Sequence, residues 1–589
     1  MPRKVAFSGK KKKQQLLEKK HKKGAFDETG RRRPVAFVRN PEDEDEDGKQ
    51  SMVQKINEQP KVRGGAGKPN RYALQFYRET EAELKKRKEL ARKELVPAPE
   101  TALEINLDDY FDPGLDFPKR PPWNFNMSRE ELDSREQRYF TEYVVELERR
   151  FDMKHMSYFE LNLETWRQLW RVLELSDIVL VIVDIRYAAL MFPPSLHQFV
   201  TETLKKDMIL VLNKIDLAPA PLVVAWTHYF LEKYPGLQVL QFTSFPSYNL
   251  RGKTQDKAGA NIRRRKGRLR MAAEGAQKLL EACKNVTDGE VDLTSWQNKI
   301  SEEMNLEDDS DDEKVEIEDT VTVKKSDTSY ELHEKFKGGM LTIGCVGQPN
   351  VGKSSLMNAI MGKKVVSVSR TPGHTKHFQT IHLTTNVRLC DCPGLVFPSK
   401  VPKTLQVLMG SYPIAQLREP FSSVQYLAER VDLVHLLRII HPESDTTWSA
   451  MDICDGWAQK RGFHTARTAR LDSYRAANNI LQMALDGKIA LCLRPPGYSH
   501  KKDFWVSHKD VANILWIQAA NTDALSPDAL SPEAPHHFQD EFSSEEEHEE
   551  GTKQESEQSE EADESSEEEE EPHISVAAGN KFNVLASPE

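Results

Sequence analysis

Three continuous apolar runs stand out in a chain otherwise broken by charge: Ile178 to Val183, Met208 to Leu212 and Leu341 to Val346. Short uninterrupted runs bounded by polar residues predict strands buried on both faces, as in a parallel sheet. Around them apolar positions recur at helical spacing. Trp166, Leu169, Trp170 and Leu173 precede the first run, Ala220 to Lys233 follow the second, and Ser355 to Met361 follow the third. The tryptophan stripe reads as core rather than as a binding surface. Gln238 to Phe242 predicts a further strand after the second run. His377 to Leu383 and Val387 to Cys390, separated by Thr384-Thr385-Asn386, predict two more after the third. Strands alternating with helices define an α/β class with a mostly parallel sheet and helices on both faces. Past Phe397 the pattern is helical, through Leu405, Leu408, Ile414 and Leu417 and again through Ile480, Leu481, Ala484 and Leu485. Residues 400–500 are therefore expected to form a C-terminal helical domain.

The flanks follow other rules. Charges dominate 71–94, which predicts a helix; the proline-punctuated stretch 97–122 reads as extended. Ser128-Arg129-Glu130-Glu131 is a capping-box pattern that opens a helix through about Arg150. Arg263 to Arg268 is basic and is followed by a predicted helix over Leu269 to Lys284; Glu302 to Glu318 is acidic. The resulting division is a basic then acidic disordered region over 1–70 and a helical and extended segment over 71–160. The two sheet halves occupy 161–285 and 339–399, separated by an acidic flexible linker over 286–338. The helical domain at 400–500 is followed by an acidic low-complexity tail over 501–589.

The chain has 589 residues, 38% hydrophobic and 30% charged, with a formal net charge of -10. That charge is segregated into blocks: Arg3 to Arg33 is basic, Glu42 to Asp47 acidic, and Glu541 to Glu571 mostly Glu, Asp and Ser. Like-charged blocks repel themselves and bury little apolar surface, so disordered tails are expected. The basic block suits an import signal or RNA phosphates, and equally a solubilising tail. No run approaches the roughly eighteen apolar residues of a membrane span, and no signal-peptide core follows the charged N-terminus. The six scattered cysteines lack disulfide or zinc spacing and read as buried thiols of an intracellular protein.

The candidate chemistry sits at the ends of the predicted strands. Gly347-Gln348-Pro349-Asn350-Val351-Gly352-Lys353-Ser354 follows the third run and opens a helix at Ser355, the context a phosphate loop requires. Gly347 and Gly352 let successive N–H groups face a polyphosphate at a helix N-terminus. Lys353 would reach the β- and γ-phosphates and Ser354 would ligate Mg2+. Asn213-Lys214-Ile215-Asp216 closes the second run. There Asp216 can accept from the two donors of a guanine edge that adenine lacks, Asn213 can bond the acceptor edge, and the Lys214 stem can cover the ring. Thr243 and Ser244 would brace the base. Asp391-Cys392-Pro393-Gly394 supplies a second Mg2+ ligand in Asp391 and a backbone N–H for the γ-phosphate at Gly394. Thr375, within Thr371-Pro372-Gly373-His374-Thr375, is the candidate switch threonine and a third Mg2+ ligand, with an ordinary loop threonine as the alternative.

Their order is unusual. In ordinary GTPases the phosphate loop comes first and NKxD last; here Asn213 to Asp216 precede Gly347. One sheet can hold both only if the domain is circularly permuted, and the segment after Gly394 then runs directly into the helical domain. With this order, the Pro-Asn of the phosphate loop, the Thr371 to Thr375 motif and Gly410-Ser411-Tyr412-Pro413-Ile414, the chain resembles the circularly permuted GTPases of ribosome assembly, in particular the large-subunit-maturation branch. The resemblance covers about 162–496 apart from the linker. It implies a GTP hydrolase with GTP and GDP as ligands, K+ activation through Asn350 and contact with pre-ribosomal RNA or ribosomal proteins. A monomer is expected, and the basic N-terminus suggests a nuclear or nucleolar location with shuttling. Leu395 stands where many GTPases place a water-orienting Gln. No histidine matches the catalytic one of some relatives, which leaves Thr375, Gly394 and His374 as candidates, and His377 as a substitute. The competing reading is a GTP-binding scaffold whose tails recruit partners while hydrolysis is incidental.

Overall fold

The computed structural model describes residues 53–56, 74–77, 80–124, 126–153, 155–243, 275–305, 334–362, 365–366, 379–465 and 469–519. The first described elements are β1 (Val53–Ile56) and β2 (Leu74–Tyr77), which pair antiparallel. Helix α1 (Glu81–Leu90) then starts at Thr80, whose side chain accepts from the Glu83 N–H while Glu83 reaches back to the Thr80 N–H. The single helix expected over 71–94 is therefore incorrect at its start. Leu74, Phe76 and Tyr77 suit a strand, and the Thr80 capping box sets the helix boundary.

Helix α2 (Arg129–Arg150) begins at the Ser128 capping box, as expected. Its buried Glu136 accepts from Arg120 at 2.9 Å and from Arg167 at 2.7 Å. Those two guanidinium groups join the extended segment before α2 to helix α3 (Leu163–Leu175). Phe117 from the same extended segment stacks on Trp166 of α3 and meets Phe199 and Phe397 edge-on. The tryptophan stripe is core: Trp166, Leu169, Trp170 and Leu173 are all buried.

The sheet is built from β3 (Ile178–Asp184), β4 (Asp207–Asn213), β5 (Gln238–Gln241), β6 (Leu341–Val346), β7 (Gln379–His382) and β8 (Val387–Asp391). Its spatial order is β5-β4-β3-β6-β8-β7; all neighbours are parallel except β7, which runs antiparallel to β8. Every residue of β3 and β6 is buried, which is why both are apolar apart from Asp184 and Thr342. Strand β6 enters the sheet between β3 of the earlier half and β8 of its own half. This is the α/β sheet expected of a circularly permuted P-loop GTPase domain. The turns after β4, β6 and β8 all leave from carboxyl ends of parallel strands, where ligands bind in such sheets. Helix α4 (Ala220–Lys233) matches its predicted bounds.

Two expectations about chain composition are corrected. The stretch assigned to a linker contains part of a helix α5 at 275–287 and all of α6 (Thr294–Asn305). Val291, Leu293, Trp296 and Ile300 are buried there, so apolar residues spaced among the charges suffice to anchor the segment. After α7 (Lys353–Met361) come α8 (Lys403–Leu408), α9 (Phe421–Ala428), α10 (Leu433–Leu437), α11 (Ala450–Arg461) and α12 (Ser473–Leu485), in the region expected to be helical. Folded structure then continues beyond residue 500, where an acidic tail was expected, as α13 (Lys502–Val506) and α14 (Val511–Ala519). Both pack on α4, and Val511, Ile514 and Ile517 are buried. The charged blocks of 1–52 and 520–589 lie outside the described residues. No helix among the described residues is long and apolar enough to cross a membrane.

Candidate nucleotide site

The turn after β6 is shaped by three backbone demands. Gly347 passes so close to β3 that a Cβ would meet the Ile182 carbonyl oxygen at 2.4 Å. Asn350 and Gly352 take positive φ, 60° and 96°, so the chain reverses and enters α7 at Lys353. Val351 is fully buried, and its carbonyl accepts from the Asn213 Nδ2 at 2.7 Å. Lys214, itself left-handed at φ 59°, donates to the Asn350 carbonyl at 2.7 Å. The NKxD turn and the phosphate loop are thus joined directly by two side chains.

The acid of that turn is held by its neighbour: Thr243 donates to Asp216 Oδ1 at 2.5 Å. Burial raises the Asp216 carboxyl from its ordinary value, and the Thr243 bond opposes that. Ile215 N–H to the Phe242 carbonyl and Phe242 N–H to the Leu212 carbonyl fix the loop that presents Thr243. Ser244 lies outside the described residues, as do His374, Thr375 and His377.

At the phosphate end Ser354 Oγ donates to Asp391 Oδ2 at 2.9 Å. Asp391 is buried, and burial pushes its carboxyl up to about 6 against the pull of Lys353 and Ser354. Its Oδ1 has no hydrogen-bond partner among the described residues. Lys353 does not extend outward as expected. Nζ is buried and donates to the Gly347 and Gln348 carbonyls at 3.0 and 2.7 Å, satisfying the loop it would leave on reaching a phosphate. Burial lowers its ammonium, with Asp391 opposing. Ser355 is buried in the first turn of α7. Gly394 lies against the loop: a Cβ there would meet Pro349 Cα at 2.8 Å. The next residue, Leu395, is fully buried and donates its N–H to the Gly347 carbonyl at 3.3 Å.

Several contributing residues carry no motif. Asp184, at the end of β3, ion-pairs with Lys214 at 2.9 Å and with Arg186 at 2.8 Å. Burial raises the Asp184 carboxyl, but Arg186 and Lys214 outweigh it and hold it well below the usual carboxylate range. The buried Arg186 also donates to the Ala484 and Leu485 carbonyls, the end of α12. Gln348 accepts from Ser411 at 2.6 Å and Asn350 donates to the Gly410 carbonyl at 2.9 Å. Gln518 of α14 donates to the Ile215 and Ala218 carbonyls, across the NKxD turn. A charged pair straight after a wholly apolar strand was the available sequence signal for Asp184 and Arg186. Gln518 had none.

A permuted sheet that brings GxxxxGKS, DxxG and NKxD to one edge defines a circularly permuted GTP-binding domain of the P-loop class. The family model described as 50S ribosome-binding GTPase matches residues 342–447. Guanine nucleotide-binding protein-like 1 of Rattus norvegicus is 44% identical over 548 residues, covering 88% of this chain and 90% of its own. Large subunit GTPase 1 homolog of Mus musculus is 33% identical over 431 residues, 65% of this chain and 66% of its own. Among solved structures, GNP-bound YlqF from T. maritima covers 56% of this chain and 99% of its own at 18% identity, with a TM-score of 0.31. The chain belongs to the family of guanine nucleotide-binding protein-like 1.

Proposed function

We propose that this chain is a slow GTPase switch whose nucleotide state is passed to its helical region, acting in ribosome assembly. The observation that carries the reading is the pair of bonds from Asn213 to the Val351 carbonyl and from Lys214 to the Asn350 carbonyl. They make base recognition and phosphate binding one site. Asp216 would accept from the guanine N1–H and exocyclic amine, with Thr243 and Ser244 bracing it. Gly347, Gly352 and Lys353 would hold the phosphates.

The residues present fit Mg2+. Ser354 Oγ and the buried Asp391 already meet, and Asp391 Oδ1, without a partner among the described residues, would supply a ligand oxygen. Ser354, Asp391 and Thr375 would hold the ion, which would neutralise charge developing on the β- and γ-phosphates. K+ would be taken by Asn350 Oδ1, since Nδ2 is committed to Gly410. Thr375, Gly394 and His374 are the candidates for positioning the attacking water. Of these, Gly394 lies among the described residues, packed against Pro349 of the loop.

The ribosomal part of the reading is supported by the match to the 50S ribosome-binding GTPase family model and by the large-subunit GTPase relative. Arg3 to Arg33 would engage pre-ribosomal RNA or an import receptor, giving nuclear or nucleolar accumulation. The test is single-turnover GTP hydrolysis with and without ribosomal subunits, beside GTP binding by Lys353→Ala. Acceleration by subunits and loss of binding in the variant are expected. Normal GTP binding by Lys353→Ala in Mg2+ overturns the site. Hydrolysis unmoved by subunits favours the scaffold reading.

A further inference from the structure

Away from the nucleotide site, His228 of α4 meets His508 and Asp510, which lie between α13 and α14. One donor atom from each of the three side chains falls within 4.8 Å of the others. His228 Nε2 is 3.8 Å and His508 Nδ1 is 3.5 Å from Asp510 Oδ2. These separations are too long for hydrogen bonds. They are close to the spacing of about 3.3 Å between neighbouring ligands in a tetrahedral site with metal–ligand bonds near 2.0–2.1 Å. The two imidazole rings are 4.8 Å apart and near-perpendicular, and Trp505 and Phe504 pack around them. Two imidazoles with one carboxylate between them form a poor ion-pair cluster, because protonating both rings places like charges side by side. The same three groups form a good donor set for a divalent ion.

We propose that His228, His508 and Asp510 bind Zn2+ and so clamp the C-terminal helices onto the sheet domain. Two nitrogens and one carboxylate oxygen suit Zn2+, with water completing the tetrahedron. The ion displaces the 3.3 Å contact that the Asp510 N–H makes to His508 Nδ1. Entry is open, because the His228 and Asp510 side chains are 43% and 45% exposed. The clamp has a defined mechanical consequence. Helix α14 carries Gln518, which holds the Ile215 and Ala218 carbonyls of the NKxD turn, so the ion fixes the helix that braces that turn.

The experiment uses the full chain, stripped by chelator and titrated with Zn2+ against a chromophoric competitor, beside His228→Ala and Asp510→Asn. Both substitutions fall on half-exposed side chains, and circular dichroism checks that each variant folds. The wild type should bind one more tight Zn2+ per chain than either variant, or the variants should bind that ion more than tenfold more weakly, since even outer-shell changes cost about 10–100-fold. Co2+ in place of Zn2+ should give visible d–d absorption of a tetrahedral site that both variants lose. Zn2+ should also slow proteolysis within 502–519 in the wild type alone. Equal stoichiometry, affinity and Co2+ spectra in all three proteins would overturn the proposal, and the cluster would then be aromatic packing with weak ion pairs.

Discussion

The Asn350 side chain donates to the Gly410 carbonyl at 2.9 Å, tying the phosphate loop to the segment that leads from α8 into the rest of the helical region. Gly410 sits at φ 75°, and a Cβ there would come within 2.6 Å of Leu485 Cδ1 and 2.9 Å of Asn350 Nδ2. Gly410→Ala should therefore cost about 1–3 kcal/mol of folding stability from backbone strain alone. It should weaken GTP as well, because the added methyl displaces Asn350. Urea denaturation and nucleotide titration check both; unchanged GTP affinity in a destabilised variant would show that the contact is structural only.

On the proposed reading, Asp216→Asn would set an amide donor against the guanine N1–H. GTP binding should weaken by about 2–4 kcal/mol, the cost of mismatching a buried polar pair at a charged group. Preference should move toward xanthosine triphosphate, whose O2 accepts. Competition titrations of the two nucleotides decide it, and an unmoved ratio removes guanine recognition from this turn.

Asp184 is the buried hub between Lys214 of the NKxD turn and Arg186, which reaches the end of α12. Asp184→Asn leaves Arg186 buried without its countercharge and should cost about 3–5 kcal/mol at neutral pH. The sign with pH follows from the depressed carboxyl. A group whose folded pKa lies below its unfolded value stabilises the fold above that unfolded value, about 3.9, and the gain is lost as pH falls below it. The stability gap between wild type and variant should therefore narrow as pH is lowered from about 5 toward 3. A gap independent of pH would mean that Asp184 acts through shape rather than charge.

The strands that carry the site were legible because burial on both faces leaves no alternation to misread: Ile178 to Val183, Met208 to Leu212 and Leu341 to Val346 all became strand. Motif residues at their carboxyl ends were legible because phosphate and guanine recognition constrain residue type and spacing together. The supports were hidden for the opposite reason. Gln518 braces the Ile215 carbonyl from 303 positions away with a residue type common on any surface helix. Trp296 and Ile300 anchor α6 from within a stretch whose average composition is that of a linker. Leu74 to Tyr77 pair with β1 instead of joining the charged helix, because pairing is a long-range choice that local charge does not report.

Leu395 bears on the rate. A GTPase without a water-orienting side chain hydrolyses at most at about 10⁻³ s⁻¹ unaided, the scale of unassisted Ras-like turnover. The Leu395 side chain is fully buried and its N–H bonds the Gly347 carbonyl, so this position faces core in the structure. Leu395→Gln should therefore not rescue hydrolysis. An amide placed there would be buried without a partner and should destabilise the protein by about 1–3 kcal/mol. The two outcomes are separable by single-turnover kinetics and urea unfolding on the same preparation. A variant that hydrolyses GTP at least tenfold faster at unchanged stability would show that residue 395 swings toward the nucleotide when GTP is bound, and that the switch segment after Gly394 moves as a unit.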